Sequence, residues 1–260
     1  MSLTALAGDC TTTTTLALAT TYPSEDAPLV LEADRTGGSI AAWLDTPLAP
    51  SLSAIVANQR GAGERTADSW EWIEPMTHRS HSGVWFVPGP TRAIEAAQAI
   101  EEAERTIFPT MARSVTVLAD VGRITASGGV SRTLRIAETV IVCHRQATQS
   151  AAAASVRIER TAELLGVLAG SSSRLVVAVI GDRPFGCDEI EHYLAAAVDP
   201  APFDTVELAV DELAAAVLGG RRGVSARRFA RLPLIRSCQE LRRVVRDQPA
   251  SNAADPEGVR

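Results

Sequence analysis

Gly8-Asp9-Cys10-Thr11-Thr12-Thr13-Thr14-Thr15 stands between a short apolar run, Leu3 to Ala7, and the helical pattern Leu16-Ala17-Leu18-Ala19. Strand, tight turn and helix in that order is the setting of a phosphate-binding loop. The first N–H groups of such a helix have no intrahelical partner and point outward. The helix dipole adds to their attraction for an anion. Threonine hydroxyls at the helix start are of the kind that hold a Mg²⁺ bridging phosphates. One component is missing. The Gly-x4-Gly-Lys-Ser/Thr pattern uses a lysine to reach the β- and γ-phosphates. This stretch has no lysine, and all 25 basic residues of the chain are arginine. Arginine is longer, planar and forked, so it does not simply replace a compact ammonium. The stretch reads as a nucleotide cradle that has lost its main charge.

Further along, apolar runs alternate with helical patterns. Leu3–Ala7 reads as a buried central strand and Leu29-Val30-Leu31 as a second, with strands also at Val84–Val87, Val115–Ala119, Val140–Cys143, Leu175–Ile180 and Thr205–Val210. Helices are expected at Thr12–Thr20, Ser39–Leu44, Ser51–Arg60, Ala93–Arg105, Ser150–Leu168, from Asp188 as cap to Ala197, and at Glu212–Leu218, where Gly219-Gly220 stops it. Gly61 to Ser82 reads as loop-rich. The alternation argues for an α/β fold, a doubly wound, mostly parallel sheet with helices on both faces. At 260 residues, 46% of them hydrophobic, the chain can bury one large core of that kind. The expected unit is residues 1–246, with an Arg-rich helical region at 221–246 and a disordered tail at 247–260.

Carboxylates stand at two strand ends. Glu32-Ala33-Asp34 precedes Gly37-Gly38, and Asp120-Val121-Gly122 closes the Val115–Ala119 run. Strand ends beside a phosphate loop are where ligands bind in open α/β sheets. A plainer role for Glu32 and Asp34 is to cap the Gly37-Gly38 turn, and Asp120 equally suits a loop cap. Without a cation between them, Asp34 and Asp120 crowd like charges. They then need arginine partners, such as Arg35 or Arg123, or raised pKa values.

Taken together these motifs resemble the MinD/ParA group of P-loop ATPases, most closely a divergent actinobacterial branch, from residue 1 to about 246. Gly8 to Thr15 stands where that family carries a Lys-Gly-Gly-x-Gly-Lys-Thr-Thr-like motif. Glu32 to Gly37 is similar to its Asp-x-Asp-Pro-x-Gly, and Asp120-Val121-Gly122 to its Asp-Thr-Pro-Pro-Gly. Gly181-Asp182-Arg183-Pro184 falls where the family has an Asn-Arg segment near adenine. The resemblance implies ATP and Mg²⁺ as possible cofactors, contacted by Gly8, Asp9, Cys10, Thr11, Thr12, Thr13, Asp120 and Asp182. It implies Thr12 (or Thr13) and Asp120 as the Mg²⁺ side, and Asp34 as the residue that orients the attacking water. It also implies a homodimer or partner proteins.

The departures weigh equally. Thr11 or Thr12 stands at the P-loop lysine. The family's second lysine, which reaches across a dimer, falls at Leu6 or Ala7. Cys10 replaces a glycine and Glu32 an aspartate. The expected function is therefore that of a pseudo-ATPase, a regulatory or scaffolding component of cellular positioning or assembly. A slow Mg-ATP-dependent ATPase and a DNA-associated partition or regulatory protein are the alternatives.

Net charge is −6, which argues against a general polyanion binder while leaving room for local patches. Residues 221–246 form such a patch, with nine arginines against Glu240. They suit a final helix packed on the sheet with arginines outward. They also suit phosphate contacts from Arg227, Arg228 and Arg231 to DNA, or, least well, an amphipathic membrane helix. His78-Arg79-Ser80-His81 reads as a solvated loop rather than a metal pair, and Cys143-His144 as a buried thiol rather than a nucleophile. The other cysteines, Cys10, Cys187 and Cys238, form no CxxC, as in a reducing compartment. No basic segment precedes Leu3–Ala7 and no apolar stretch is long enough to span a bilayer, so a cytoplasmic chain without a membrane span is expected.

Overall fold

The structure is a computed structural model that describes residues 2–61, 70–124, 131–146, 150–171, 173–198 and 202–246. The tail expected at 247–260 lies outside the described residues. In chain order the strands are β1 (Leu3–Gly8), β2 (Leu29–Glu32), β3 (His78–Arg79), β4 (Trp85–Val87), β5 (Val117–Gly122), β6 (Thr139–Arg145), β7 (Arg174–Ile180) and β8 (Phe203–Leu208). They form one sheet in the order β3-β4-β2-β5-β1-β6-β7-β8. All pairs are parallel except β3 with β4. This is the doubly wound α/β architecture that the alternation of runs requires. The apolar runs are continuous because helices cover both faces of a parallel sheet.

Helices α1 (Thr11–Ala19), α2 (Ile40–Trp43), α3 (Leu52–Gly61), α4 (Trp70–Ile73), α5 (Ala93–Thr106) and α6 (Phe108–Ser114) come before β6 or between the first five strands. Then follow α7 (Arg132–Ile136), α8 (Ala151–Leu168), α9 (Cys187–Ala197), α10 (Glu212–Leu218), α11 (Ala226–Phe229) and α12 (Pro233–Arg246). The pleat sorts the core into two layers. Leu3, Ala5 and Ala7 of β1 face α3, α5, α6, α8 and α9, whereas Leu6 faces α1, α2, α10 and α12. The chain lays β2, β4 and β5 on one side of β1 and β6, β7 and β8 on the other. Its reversal therefore falls beside β1, where open α/β sheets leave a crevice.

α1 is the least probable helix on propensity, since five consecutive threonines are stiff at χ1. Packing overrides this: Leu16, Ala17 and Leu18 are fully buried against β5 and α12. α12 buries Leu234, Ile235, Cys238, Leu241 and Val245. Its Arg242 guanidinium lies 5.8 Å from the Tyr22 ring centroid, and Arg246 pairs with Asp26 at 2.9 Å. Of the readings open for the Arg-rich region, packing on the sheet describes this helix. Among the described residues no helix is long and apolar enough to cross a membrane.

Two local expectations are corrected. Asp188 does not cap α9. The N-cap is Gly186, and the Glu189 carboxylate accepts its N–H at 2.7 Å, leaving Asp188 in the first turn. The stretch expected as loop at Gly61–Ser82 holds α4, a 3₁₀ turn at Glu74–Met76 and β3, while 62–69 lie outside the described residues. Aromatic contacts order it: Trp70 meets Trp85 edge-on at 5.5 Å, and His78 stacks on Phe86 at 5.4 Å.

Candidate functional site

β1 ends at Gly8, whose φ of 114° suits glycine, and a Cβ there would stand 2.3 Å from the Cys143 carbonyl oxygen. The Asp9 N–H donates to that same oxygen at 2.9 Å. Cys10 takes a left-handed conformation, φ 56° and ψ 26°, and α1 begins at Thr11. The connection from strand to helix is therefore two residues, Asp9 and Cys10. A Gly-x4-Gly-Lys loop places roughly six residues before its lysine. The N–H groups of Thr11, Thr12 and Thr13 precede the first intrahelical bond, Thr14 N–H to Cys10 O at 3.1 Å, and have no partner among the described residues. Leu6 and Ala7 are fully buried inside β1, so a side chain at either position is sealed in the sheet.

The strand-end carboxylates do converge. Asp120 is 1% exposed and lies in register with Leu6 on one side and Glu32 on the other. Its Oδ2 accepts from the Thr12 hydroxyl at 2.5 Å, and its Oδ1 from the Gly122 N–H at 3.2 Å. Burial pushes its pKa up. The Thr12 and Thr11 hydroxyls and the Gly122 N–H pull it back, and the Asp34 charge adds to the rise. Asp34 packs its carboxylate where a Cβ on Gly122 would lie, while its Oδ1 accepts from the Thr36 N–H at 2.8 Å and hydroxyl at 2.7 Å. Glu32 is a latch. Its Oε1 accepts from Ser39 N at 2.6 Å and Ile40 N at 2.8 Å, and its Oε2 from Gly89 N at 2.9 Å. That is the capping role allowed for it after the Gly37-Gly38 turn.

A carboxylate whose folded pKa lies above its unfolded value favours the fold at low pH and loses that contribution as pH rises through the folded pKa. Asp120→Asn removes the ionisation and keeps an oxygen for the Gly122 N–H. In the absence of a cation its Tm is expected to exceed that of the parent near pH 8. The gain is expected to vanish as pH falls towards 3.8, the ordinary aspartate value. Calorimetry across that range measures it.

The arginine partners expected for Asp34 and Asp120 are placed elsewhere. Arg123 meets Asp9 at 3.4 Å, joined there by Arg157 from α8 at 2.8 Å. Hydroxyls and N–H groups, not arginines, satisfy Asp120 and Asp34. The Arg145 guanidinium reaches the Cys10 Sγ at 3.7 Å. No sequence signal announces Arg157, which stands 148 residues from Asp9. So Gly8 to Thr13, Asp34 and Asp120 come together at the carboxyl edge of the sheet. Asp182 does not join them. It follows β7, two strands from β1, and is exposed. Arg227 and Arg228 on α11, and Arg231 after it, are exposed on the α10–α12 side. His78 Nε2 is 2.8 Å from Pro50 O. Cys143 is buried and its thiol pKa is pushed up by desolvation, which leaves it a poor nucleophile. Among the described residues no group of three or more His, Cys, Asp or Glu is arranged to hold a metal ion.

The turn does not fit a triphosphate wrapped by a loop. Two residues cannot encircle a phosphate, one of them is an aspartate already paired with arginines, and no lysine is present. What remains compatible with an anion is the set of N–H groups opening α1. Thr12 and Asp120 are a pair of the kind that holds Mg²⁺, but here the hydroxyl donates directly into the carboxylate.

No protein-family model and no curated protein matches the sequence. Solved structures do match in fold. The ParA family ATPase of Chlorobium tepidum superposes with a TM-score of 0.64 at 12% identity, over 93% of this chain and 97% of that one. MinD of Pyrococcus horikoshii, the septum site-determining protein complexed with Mg-ADP, gives 0.65 at 14% identity over 95% and 96%. The MinC:MinD cell division complex of Aquifex aeolicus gives 0.54 at 13% over 94% and 95%.

Proposed function

We propose that this chain, which has the α/β P-loop fold of the MinD/ParA ATPases, works with a degenerate nucleotide site as a regulatory or scaffolding component of cellular positioning or assembly. The observation that carries the reading is the two-residue turn Asp9-Cys10 between β1 and α1. Phosphoryl transfer is largely positioning and charge neutralisation. A site without the wrapping loop, without lysine and with Asp9 at the turn lacks both. Asp34 would then be a turn-former through Thr36, and Asp120 a structural acceptor for the start of α1. Work without turnover falls to surfaces, so a second copy or a partner protein is the expected means of action. A neighbour of this fold, Aquifex MinD, is found in a complex with MinC.

Phosphate release from ATP with Mg²⁺ tests the reading. No release above the blank is expected, and Asp34→Ala is expected to change nothing. Sustained release abolished by Asp34→Ala would make the protein a slow ATPase instead. One observation favours a DNA-associated role as a second reading. Arg221, Arg222, Arg227, Arg228, Arg231 and Arg236 are exposed and form no salt bridge among the described residues. On that reading duplex DNA binds through phosphates, weakens steeply with salt, and is lost when Arg227, Arg228 and Arg231 are replaced by Gln.

A further inference from the structure

A cleft of about 220 Å³ opens beside β1 and β6 at the carboxyl edge of the sheet, lined by Asp9, Arg123, His144, Arg157, Arg160 and Thr161 among others. It lies in the α8 layer, on the face of the sheet opposite α1, so the N–H groups that open α1 do not line it. Three arginines and one aspartate line it. Asp9 holds Arg123 and Arg157, and Arg160 forms no salt bridge among the described residues. The cleft therefore keeps an excess of positive charge next to a small polar volume.

His144 adds a second requirement. The residue is 2% exposed, and its Nδ1 lies 2.8 Å from the Thr161 hydroxyl oxygen. That hydroxyl has one proton and gives it to the Arg157 carbonyl at 3.0 Å. With Thr161 also accepting from Nδ1–H both contacts become hydrogen bonds, and that assignment puts the ring proton on Nδ1 and leaves Nε2 a bare lone pair. Nε2 is buried and has no partner among the described residues. Burial holds the ring neutral, with a pKa lowered to about 4; the neighbouring Arg157 lowers it further and Asp9 opposes. A buried acceptor left unmet is expensive, roughly 1–3 kcal/mol, unless water or a ligand meets it.

The arginines call for an anion and Nε2 calls for a donor. We propose that this cleft binds a small tetrahedral oxyanion that keeps a proton, of the monohydrogen phosphate class. Its oxygens lie on Arg123, Arg157 and Arg160, and its O–H is directed to His144 Nε2, which is enclosed in the free protein and is reached only when Asp9 withdraws. In the free protein Asp9 occupies the anion's place between Arg123 and Arg157 and yields it on binding. The fork of arginine matches phosphate oxygens in pairs. The volume, roughly seven water molecules at ~30 Å³ each, admits a phosphate with some of its hydration. This goes beyond the functional reading above, because it uses side chains of β6 and α8 and the loop after β5, not the amides of α1.

The test is calorimetric titration of the full chain with inorganic phosphate and with sulfate at neutral pH, followed in parallel by the imidazole resonances of His144. Sulfate has the same shape but no proton. Phosphate is expected to bind and to move the His144 signals, and sulfate to bind about tenfold more weakly, the usual effect of one buried hydrogen bond. Arg160→Gln, an exposed change that leaves the core intact, is expected to weaken phosphate about tenfold. Asp9→Asn, which removes the competing charge, is expected to tighten it. His144→Asn, which keeps a polar atom towards Thr161, is expected to erase the preference over sulfate. Silence in the phosphate titration, equal binding of the two anions by the parent, or phosphate binding indifferent to both Arg160→Gln and Asp9→Asn would overturn the proposal. The last result would place the anion on the α1 amides instead.

Discussion

Glu32→Ala is expected to lower stability by about 3–9 kcal/mol, reckoned as ~1–3 kcal/mol for each backbone donor left without an acceptor. Three such donors depend on this one carboxylate: Ser39 N–H and Ile40 N–H on Oε1, and Gly89 N–H on Oε2. Water cannot easily replace it, because the residue is 2% exposed and Gly38 and Gly89 pack directly on its side chain. The Tm is expected to fall by on the order of 10 °C. Glu32→Gln separates the charge from the geometry. Its amide oxygen can serve Ser39 and Ile40, but its NH₂ then faces the Gly89 N–H, donor against donor. A loss of about 1–3 kcal/mol is expected, well short of the alanine variant. Urea unfolding of the three proteins measures the order. If Gln were as costly as Ala, charge and not the three-way latch would hold the loops after β2 and β4.

Gly8→Ala is expected to cost about 3 kcal/mol or more, through two independent mechanisms. The φ of 114° is one that a side chain rarely adopts, and the added Cβ would stand 2.3 Å from the Cys143 carbonyl oxygen. That oxygen is backbone of β6 and also accepts the Asp9 N–H, so it cannot yield without loosening the turn. Gly122 is a useful contrast. A Cβ there would meet the Asp34 carboxylate at 2.1 Å, but a side chain can rotate away, so Gly122→Ala is expected to cost less. Gly166, inside α8 with nothing within 4 Å of its Cβ position, is the control. Its change to Ala is expected to be neutral or to gain up to ~1 kcal/mol from helix propensity. Thermal unfolding of the three variants ranks them.

The fold was legible because its strands are buried on both faces. Leu29-Val30-Leu31 and Leu175 to Ile180 have no polar face to confuse, and each lies within a strand. β3 was not legible, since His78-Arg79 is two residues long and held by its pairing with β4 and by ring contacts. α6 and α7 are short, and α7 depends on the Glu104 carboxylate, which accepts from the Thr133 N–H and hydroxyl across 29 residues.

At the site, the meeting of Asp34 and Asp120 followed from strand ends in a parallel sheet. The turn was the harder feature. Sequence marks Gly8 and the threonines but not where β1 stops. The strand runs on to Gly8 because Ala7 and Gly8 still pair with β6, and this shortens the connection to Asp9 and Cys10. The partners of Asp9 were invisible for a similar reason. Arg123 and Arg157 reach it only because β5 ends and α8 begins on the same edge.

The most direct test of the central claim is equilibrium binding of Mg-ATP to the full chain by isothermal titration. With no lysine and a two-residue turn, no saturable heat is expected at millimolar nucleotide, and Asp120→Ala is expected to give the same trace. Micromolar binding that requires Mg²⁺ and is lost in Asp120→Ala would contradict the account. It would mean that the amides of α1, with an arginine from elsewhere, do the work of the absent loop.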